Sequence, residues 1–345
     1  MANKRIFYAC QGVQLAPVDD QGTVGTYVSP KGLQSAGINS NFNLEKIFQL
    51  GQLAVYDQIE NNPEVEVTLN KVIDGTKPLF LLGMGGVQEA VSGSLVSFAN
   101  NRVNMKLGVF PDTDSMVSGT AVATVECTGM YVSSINYTFP TDGNATEEAT
   151  LVGNNKTWSS GGLSAVFPEA HEPGYTSKST ARRWKFNKTE SVFPTGDGGM
   201  RPGSPLTNVT VSCDFGREAI YTLGSYDPYY RYINFPVDVN CEIESLATDG
   251  DYLNMNEGSY ACTVTGTGGG LQYFPIKFVI CGSGSGDSLT IDLGKKNKVQ
   301  SVNYTGGDTG GGNVTLTYSF QNSSELTVVA SGSFQSVDAV LPTNE

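Results

Sequence analysis

The sequence is poor in basic residues, contains a single histidine and has no long apolar run. Its 345 residues include 21 Lys+Arg against 34 Asp+Glu, which gives a net charge of -13. A protein that grips the nucleic-acid backbone by ion pairing needs the opposite balance, so that class is excluded. No segment is as long and apolar as a secretory signal or a membrane span. We therefore expect a soluble product of a cytoplasm, with no membrane insertion.

The cysteines also lack the spacing of a metal or redox motif. They are scattered at Cys10, Cys127, Cys213, Cys241, Cys262 and Cys281. None forms a C-x-x-C pair, and several fall in apolar-patterned segments. Because free cysteine packs as a small hydrophobe, we expect buried free thiols.

Motifs for catalysis and cofactor binding are equally scarce. His171 lies beside Glu169 and Glu172 but lacks the second histidine or cysteine pair that a metal or catalytic site needs. The acidic stretches that begin at Asp112 and Asp249 match only fragments of calcium loops. No glycine cluster is followed by the Lys-Ser/Thr of a phosphate loop. We expect no enzyme, no cofactor and no metal site, although two carboxylates for glycoside hydrolysis stay open because any pair can converge.

Glycine and β-forming residues are what the sequence has in abundance. It contains 41 Gly, 16 Tyr and 16 Phe, and only 16% of its residues are charged. Such a composition favours many short strands and turns over long charged helices. The expected fold class is mostly β.

The sequence repeats itself. Residues 45–67, "EKIFQLGQLAVYDQIENNPEVEV", align with residues 217–239, "REAIYTLGSYDPYYRYINFPVDV", and a one-residue shift after the proline superposes Val65 on Val237. "VSSINYT" and "GNAT" at 132–146 recur in the same order as "VQSVNYT" and "GNVT" at 299–315. Two long copies indicate a domain duplication. We predict domains at 1–160 and 207–345, joined by a Gly/Pro/Ser-rich linker or arm at 161–206 with a strand around Trp184.

Each copy combines strands with one predicted short helix. "PEVEVTLN" and "PVDVNCEIES" alternate apolar and polar residues, as strands with one buried face do. The stretches that follow "SSINYT" and "QSVNYT" read as hairpins. "NLEKIFQLGQ" and its copy "FGREAIYTLGS" are predicted as short helices, with Asn43 or Asp214 as the N-cap and glycine at the end.

With these elements in place, the chain resembles a family. "GLQSAGINSNFNLEKIFQLGQ", "ENNPEVEVTLNKVIDG" and "GMYVSSINYTFPTDGNATEEATLVGNNKTW" are similar to bacteriophage tail tube proteins (major tail proteins), and the likeness covers most of the chain outside 159–206. The resemblance implies two tandem β-sandwich or β-barrel domains of the tail-tube type, each with a short flanking helix. Their hairpins would join those of neighbours into a continuous barrel around a channel. The second copy departs from the first, with "FQNSSEL" in place of "GNNKTW".

The resemblance also implies partners and a location. Because the unit is duplicated, a trimer with pseudo-sixfold symmetry would form each ring, and rings would stack into a tube in the virion tail. Other partners would be a terminator, a baseplate and, where one is present, a sheath, with DNA passing through without specific binding. A baseplate, neck or other single-ring tail protein is the alternative, and a carbohydrate-binding β-sandwich is a third reading.

Two sets of residues are candidates for these roles. On polar strand faces lie the carboxylates that we expect to line the channel and repel phosphates, Glu64, Glu66, Asp238, Glu242 and Glu244; ordinary solvated outer faces are the alternative. The aromatic and basic residues expected at subunit interfaces are Arg182, Arg183, Trp184, Tyr229, Tyr230 and Tyr232. For the tyrosines, a sugar platform is the competing reading.

Overall fold

The chain folds mainly into antiparallel β-strands, which confirms the predicted fold class. The computed structural model describes residues 6, 10–19, 21–86, 90–111, 119–161, 163, 182–195, 199–225, 228–248, 273–282, 284–306 and 312–337. The strands are β1 Gln11–Val18, β2 Leu33–Asn41, β3 Leu44–Phe48, β4 Val55–Glu60, β5 Glu64–Val72, β6 Ser92–Ser94, β7 Arg102–Val109, β8 Ala123–Pro140, β9 Thr146–Gly153, β10 Asn155–Ser160, β11 Leu206–Asp214, β12 Arg217–Ile220, β13 Tyr230–Ile233, β14 Asp238–Leu246, β15 Lys277–Cys281, β16 Ser288–Asp292, β17 Lys298–Thr305, β18 Thr315–Ser323 and β19 Thr327–Ser331. One α-helix, α1 Leu79–Met84, is fully buried.

The largest sheet runs through both copies of the repeat. Its strand order is β17-β18-β14-β11-β8-β9-β5-β2. The two halves of this order are the same arrangement twice, because β2, β5, β9 and β8 correspond in sequence to β11, β14, β18 and β17. The copies are therefore joined head to tail. In the order of the sheet, the first copy runs β2-β5-β9-β8 and the second runs β11-β14-β18-β17, and β8 pairs with β11. We call the β8–β11 ladder the internal seam. The domain boundaries at 160 and 207 stay a prediction, since one sheet continues across them.

A second layer of smaller sheets packs on this large sheet. In the first copy it consists of β1, β7, the N-terminal half of β8 and β10. In the second copy it has the order β15-β16-β19-β6, so that β6 of the first copy closes the second copy's layer. The apolar faces of both layers merge into one hydrophobic cluster, from Val13 to Phe334.

The segments predicted as short helices are hairpins, and this prediction was wrong. Residues 44–60 form the β3–β4 hairpin, and residues 217–233 form the β12–β13 hairpin. Gly51 (φ 86) and Gly224 (φ 85) adopt the left-handed conformation in the turns that connect the two strands of each hairpin. The apolar residues of "LEKIF" recur at helical spacing, but the partner strand after the glycine turn completes a ladder instead. Instead of capping helices, Asn43 and Asp214 shape the bends that precede the hairpins: Asp214 Oδ1 accepts from Gly216 N at 3.0 Å.

The ladder register also corrects the alignment after the proline. Val67 is opposite Ile38 in β2–β5, and Cys241 is opposite Val211 in β11–β14. Since Ile38 and Val211 are equivalent, Val67 corresponds to Cys241, and Val65 corresponds to Val239 rather than to Val237. The turn between hairpin and strand is one residue longer in the second copy, which the sequence match concealed.

Part of the predicted linker belongs to the second copy. Val192 exchanges backbone hydrogen bonds of 2.7 and 3.0 Å with Lys277 of β15. Phe186 and Phe193 pack on Phe278, with ring centroids 5.9 and 6.0 Å away. The backbone at 183–185 is a 3-10 turn, not the expected strand. Residues 182–195 therefore flank β15 much as β1 flanks β7.

Within the described part of the chain, no helix has the length and apolar character needed to cross a membrane. Residues 249–272, which follow β14 in the second copy, lie outside the described residues.

Candidate assembly surfaces

One face of the large sheet is mostly polar and carries all five predicted carboxylates. We call it the open face. The side chains on it alternate with buried apolar ones, so that β5 and β14 both show an exposed-buried pattern. The ladder registers place on this face Glu64, Glu66, Glu148, Asp214, Asp238, Glu242 and Glu244, and a single basic residue of the strands, Lys298. The open face is therefore strongly acidic.

Among the five predicted carboxylates, Glu64 is the one that forms an ion pair with another described residue. Its Oε1 lies 3.2 Å from Nη1 of Arg231, whose side chain is only 5% exposed. Arg231 Nη2 also donates to Asn154 Oδ1 at 2.9 Å. This contact reaches from the second hairpin to the first copy, so Glu64 also helps to hold the two copies together.

The first copy contains a buried cluster of charged and polar side chains that the sequence did not indicate. Lys71 Nζ donates to Thr76 Oγ1 at 2.8 Å and lies 3.4 Å from Asp74 Oδ1. Glu147, opposite Lys71 in the ladder, accepts from the N–H groups of Leu79 and Phe80 at the start of α1. Burial raises the pKa of Glu147, although Lys71 and the helix N–H groups oppose the shift. The cluster holds α1 on the sheet.

Tyr137 completes this cluster. Its hydroxyl donates to Glu147 Oε1 at 2.8 Å, and burial followed by the nearby carboxylate raises its pKa well above the ordinary value. Because the cluster is buried in the core, it offers no surface to a substrate; its role here is to support the fold.

The two outer strands of the large sheet, β2 and β17, have exposed edges among the described residues. They are the sequence equivalents of β11 and β8, which pair with each other in the internal seam. Tyr304 of β17 is 54% exposed, whereas its equivalent Tyr137 of β8 is fully buried. Ile38 of β2 is half-buried, whereas its equivalent Val211 is fully buried. Each outer strand thus leaves more exposed the positions whose sequence equivalents are buried in the internal seam.

The second hairpin shows how a hairpin packs on the preceding copy. The rings of Tyr230 and Tyr131 meet at 5.6 Å with an edge-on tilt, and the Tyr230 hydroxyl donates to Asn100 O at 2.9 Å. Arg217 donates to Val132 O at 2.6 Å and stacks 4.8 Å from the Tyr131 ring. Burial lowers the pKa of Arg217 to about 10, which leaves it charged at neutral pH.

Only some of the predicted interface tyrosines are therefore exposed for contact with another chain. Tyr230 packs inside the chain against Tyr131 and against Tyr232 at 4.5 Å, whereas Tyr229 is 70% exposed. The hairpin turns also expose aliphatic side chains that the prediction left out, with Leu50, Leu53 and Leu223 fully exposed.

The basic cluster lies at the opposite end of the internal seam. Arg182 and Arg183 line a cavity of about 250 Å³ that Phe139 and Leu206 close from below. Arg183 is 3.8 Å from Asp142 in an exposed pair, which contributes little to stability. Of Trp184 the structure describes only the backbone. The two sets of predicted interface residues thus occupy opposite ends of the sheet and do not form one patch.

The expected free thiols are confirmed for the cysteines that the structure describes. Cys10, Cys127, Cys213 and Cys241 are free and buried, and Cys281 is half-buried; Cys262 lies outside the described residues. Burial raises the pKa of Cys127 to about 11 and that of Cys213 to about 12.

The described residues include no cluster of three or more His, Cys, Asp or Glu that could hold a metal ion. His171 and the acidic stretches that begin at Asp112 and Asp249 lie outside them.

Sequence reasoning missed Arg217 and Arg231, which make most of the polar contacts between the second hairpin and the first copy. A signal was available for Arg231, because in "YRYI" arginine interrupts an otherwise aromatic and apolar strand; "REAI", in which Arg217 is followed by a glutamate, carries no such signal. The first hairpin has Leu44 and Gln58 at the equivalent places.

No protein-family model matches the chain, and no curated protein matches its sequence.

Proposed function

We propose that the chain is a structural virion protein that closes into rings of three chains, and that the rings stack into a phage tail tube through which DNA passes. The observation that carries the proposal is the head-to-tail sheet: β8 of the first copy pairs with β11 of the second, and the equivalents of those strands, β17 and β2, are left at the two outer edges.

Exposed strand edges are templates for pairing with another chain. A join in which different strands of the same unit meet is heterologous, and it closes into a ring when the rotation permits. Three chains would contribute about 24 strands, more than the 16–18 strands with which porins enclose an aqueous channel. Duplication then supplies six similar units from three chains.

The polarity of the two sheet faces supports a channel. The apolar face is covered by the second layer, so in a closed ring the open face with Glu66, Asp238 and Glu242 is the one available to line the interior. Carboxylates repel phosphates, and a passage for DNA has to avoid binding it. The fully exposed Leu50, Leu53 and Leu223 on the hairpin turns provide apolar surface for contacts between stacked rings.

Electron microscopy of the purified full-length chain, together with its mass in solution, tests the proposal. We expect hollow tubes or rings in which three chains surround an open lumen, with the open face turned inward. Single rings that never stack would favour a baseplate or neck protein. A protein that stays monomeric at all concentrations, rings of six chains, or a lumen lined by the second layer would contradict the proposal.

A further inference from the structure

The internal seam gives the geometry of a second seam that forms only between chains. We infer that β17 of one chain pairs antiparallel with β2 of the next in the register of the internal seam, and that an ion pair between Lys298 and Asp57 fixes this contact. The inference rests on the proposed ring and goes beyond it, because it assigns the chain-to-chain register and the charged residues that select it.

The register follows from equivalent positions. In the internal seam Asn136 is opposite Ser212 and Tyr137 is opposite Val211. Their equivalents are Asn303 opposite Asn39, and Tyr304 opposite Ile38. This pairing covers the 54% exposed Tyr304 ring with an apolar neighbour.

The contact between hairpin and neighbour transfers in the same way. In β12–β13, Tyr230 is opposite Ile220, and in β3–β4, Asp57 is opposite Ile47, so that Asp57 takes the place of Tyr230.

On the other side of the contact, Tyr131 is opposite Val152, and Lys298 is opposite Gln321, so that Lys298 takes the place of Tyr131. The aromatic pair at 5.6 Å within the chain is thus replaced between chains by two residues of opposite charge.

Both partners are accessible in the single chain. Asp57 and Lys298 are exposed, and Lys298 lies 4.6 Å from the ring of the exposed Tyr273. Both members of the contact differ together, so that the two positions carry opposite charges; a change on one side alone would have left an aromatic ring against a charge. Charge pairs at interfaces determine specificity and register more than affinity.

Charge exchange tests the ion pair. D57K and K298D each place like charges in the seam, and we expect each variant to reduce the assembled fraction at low salt by about tenfold or more, since like-charge contacts cost several kcal/mol. The double variant D57K/K298D should restore assembly. E45K makes the same charge change on the same hairpin, at the equivalent of the exposed Glu218, whose side chain accepts a hydrogen bond from Asn234 of its own hairpin. It is the matched control and should assemble normally.

Disulfide trapping tests the register. Phe215 N donates to Ser133 O and Thr141 N donates to Thr207 O, so these two residue pairs at the ends of the internal seam are hydrogen-bonded pairs. Hydrogen-bonded and non-hydrogen-bonded pairs alternate along an antiparallel ladder, and the hydrogen-bonded pairs here join odd-numbered residues. Asn136 and Ser212 are therefore a non-hydrogen-bonded pair, in which side chains come closest. N136C/S212C should form a disulfide within one chain and serves as the positive control.

The equivalent variant N39C/N303C should link one chain to the next. N39C/V302C, whose thiols would point to opposite faces, is the negative control. Unlike the charge variants, these substitutions read the register directly.

The outcomes separate this inference from the proposed function. Tubes or rings that tolerate D57K and K298D and give no N39C/N303C link would overturn the seam and leave the tube standing. Linked closed trimers that never stack would support the seam and contradict the tube. Chains that stay monomeric and unlinked while N136C/S212C links normally would overturn both.

Discussion

In the first copy, Lys71 and Glu147 are opposite each other on neighbouring strands, and both side chains are almost wholly buried. At the equivalent places of the second copy lie Ser245 and Leu316, also buried. The ladder order of the large sheet, the left-handed turn glycines Gly51 and Gly224, and even the hairpin hydrogen bonds at 3.2 Å, Asn61 to Glu45 and Asn234 to Glu218, are the same in both copies.

The difference teaches that backbone pairing and core chemistry are separable. The same ladder position accepts either a hydrogen-bonded charged cluster or, as in the second copy, a small hydroxyl residue opposite a leucine. In the first copy the buried charged cluster holds α1 on the sheet. Because each side chain of the cluster is a hydrogen-bond or ion-pair partner of another, the loss of one member leaves others buried without a partner.

Removal of Lys71 should therefore produce the largest effect. K71A leaves Asp74 and the acceptors of Thr76 and Lys77 without their buried donor, and we expect the free energy of unfolding to fall by about 3–5 kcal/mol. The matched variant S245A removes a hydroxyl that has no hydrogen-bond partner among the described residues, so stability should change by less than about 0.5 kcal/mol or rise. Chemical denaturation measures both, and similar losses for the two variants would contradict the comparison.

The second largest effect should be a pH dependence of stability that arises from Glu147 of the first copy and has no counterpart at Leu316 of the second. Glu147 has a raised pKa in the folded chain, so between its ordinary value of 4.5 and the raised value the folded state holds a proton that the unfolded state has lost. Stability contributed by this group is present below pH 4.5 and falls as pH rises through that window, by about 1.4 kcal/mol for each unit that separates the two pKa values.

The variant E147Q should remove that slope. The comparison is the difference in unfolding free energy between the natural chain and E147Q as a function of pH. L316Q, at the equivalent place in the second copy, destabilises without adding a titrating group and gives a pH-independent offset. If the unfolding free energy of the natural chain relative to E147Q rose with pH, the pKa of Glu147 would be lowered in the folded chain, and burial would not be the dominant influence on it.

A smaller effect should separate the two hairpins. Y230A removes a ring contact and a hydrogen bond inside the chain, and we expect a loss of about 1–2 kcal/mol. The equivalent variant D57A changes an exposed side chain and should stay within about 0.5 kcal/mol. Both are measured at protein concentrations below those that support assembly. Equal effects would mean that the first hairpin already packs within its own chain.

The thiols should sharpen the comparison without any change in stability. Cys281 is half-buried, whereas Cys127 of the first copy and Cys213 and Cys241 of the second are buried with raised pKa values. Alkylation followed by mass spectrometry should label Cys281 first and the other three only on unfolding. Early labelling of Cys127 or Cys213 would show that their copy opens locally.

Much of the fold could be read from local patterns. The alternation in β5 and β14 placed Glu66 and Glu242 on polar strand faces, because a two-residue period is a property of the strand itself. The hairpins could not be predicted in this way, since Leu44, Ile47 and Phe48 recur at helical spacing and only the returning strands β4 and β13 decide the outcome. The alternation of β5 places Lys71 on its apolar face, but the partner Glu147 lies on β9 and could not be identified before the strand pairing was known.

The sequence by itself determined that the protein is a duplicated, acidic, mostly β chain, because repetition, charge and strand periodicity are all local or additive properties. Only the tertiary structure decided that the two copies share one sheet, that β8 meets β11 head to tail, and that β2 and β17 are left at its edges. Strand pairing joins residues far apart in sequence, and the pattern of a strand does not specify its neighbour. The inference that Asp57 of one chain meets Lys298 of the next rests on that pairing.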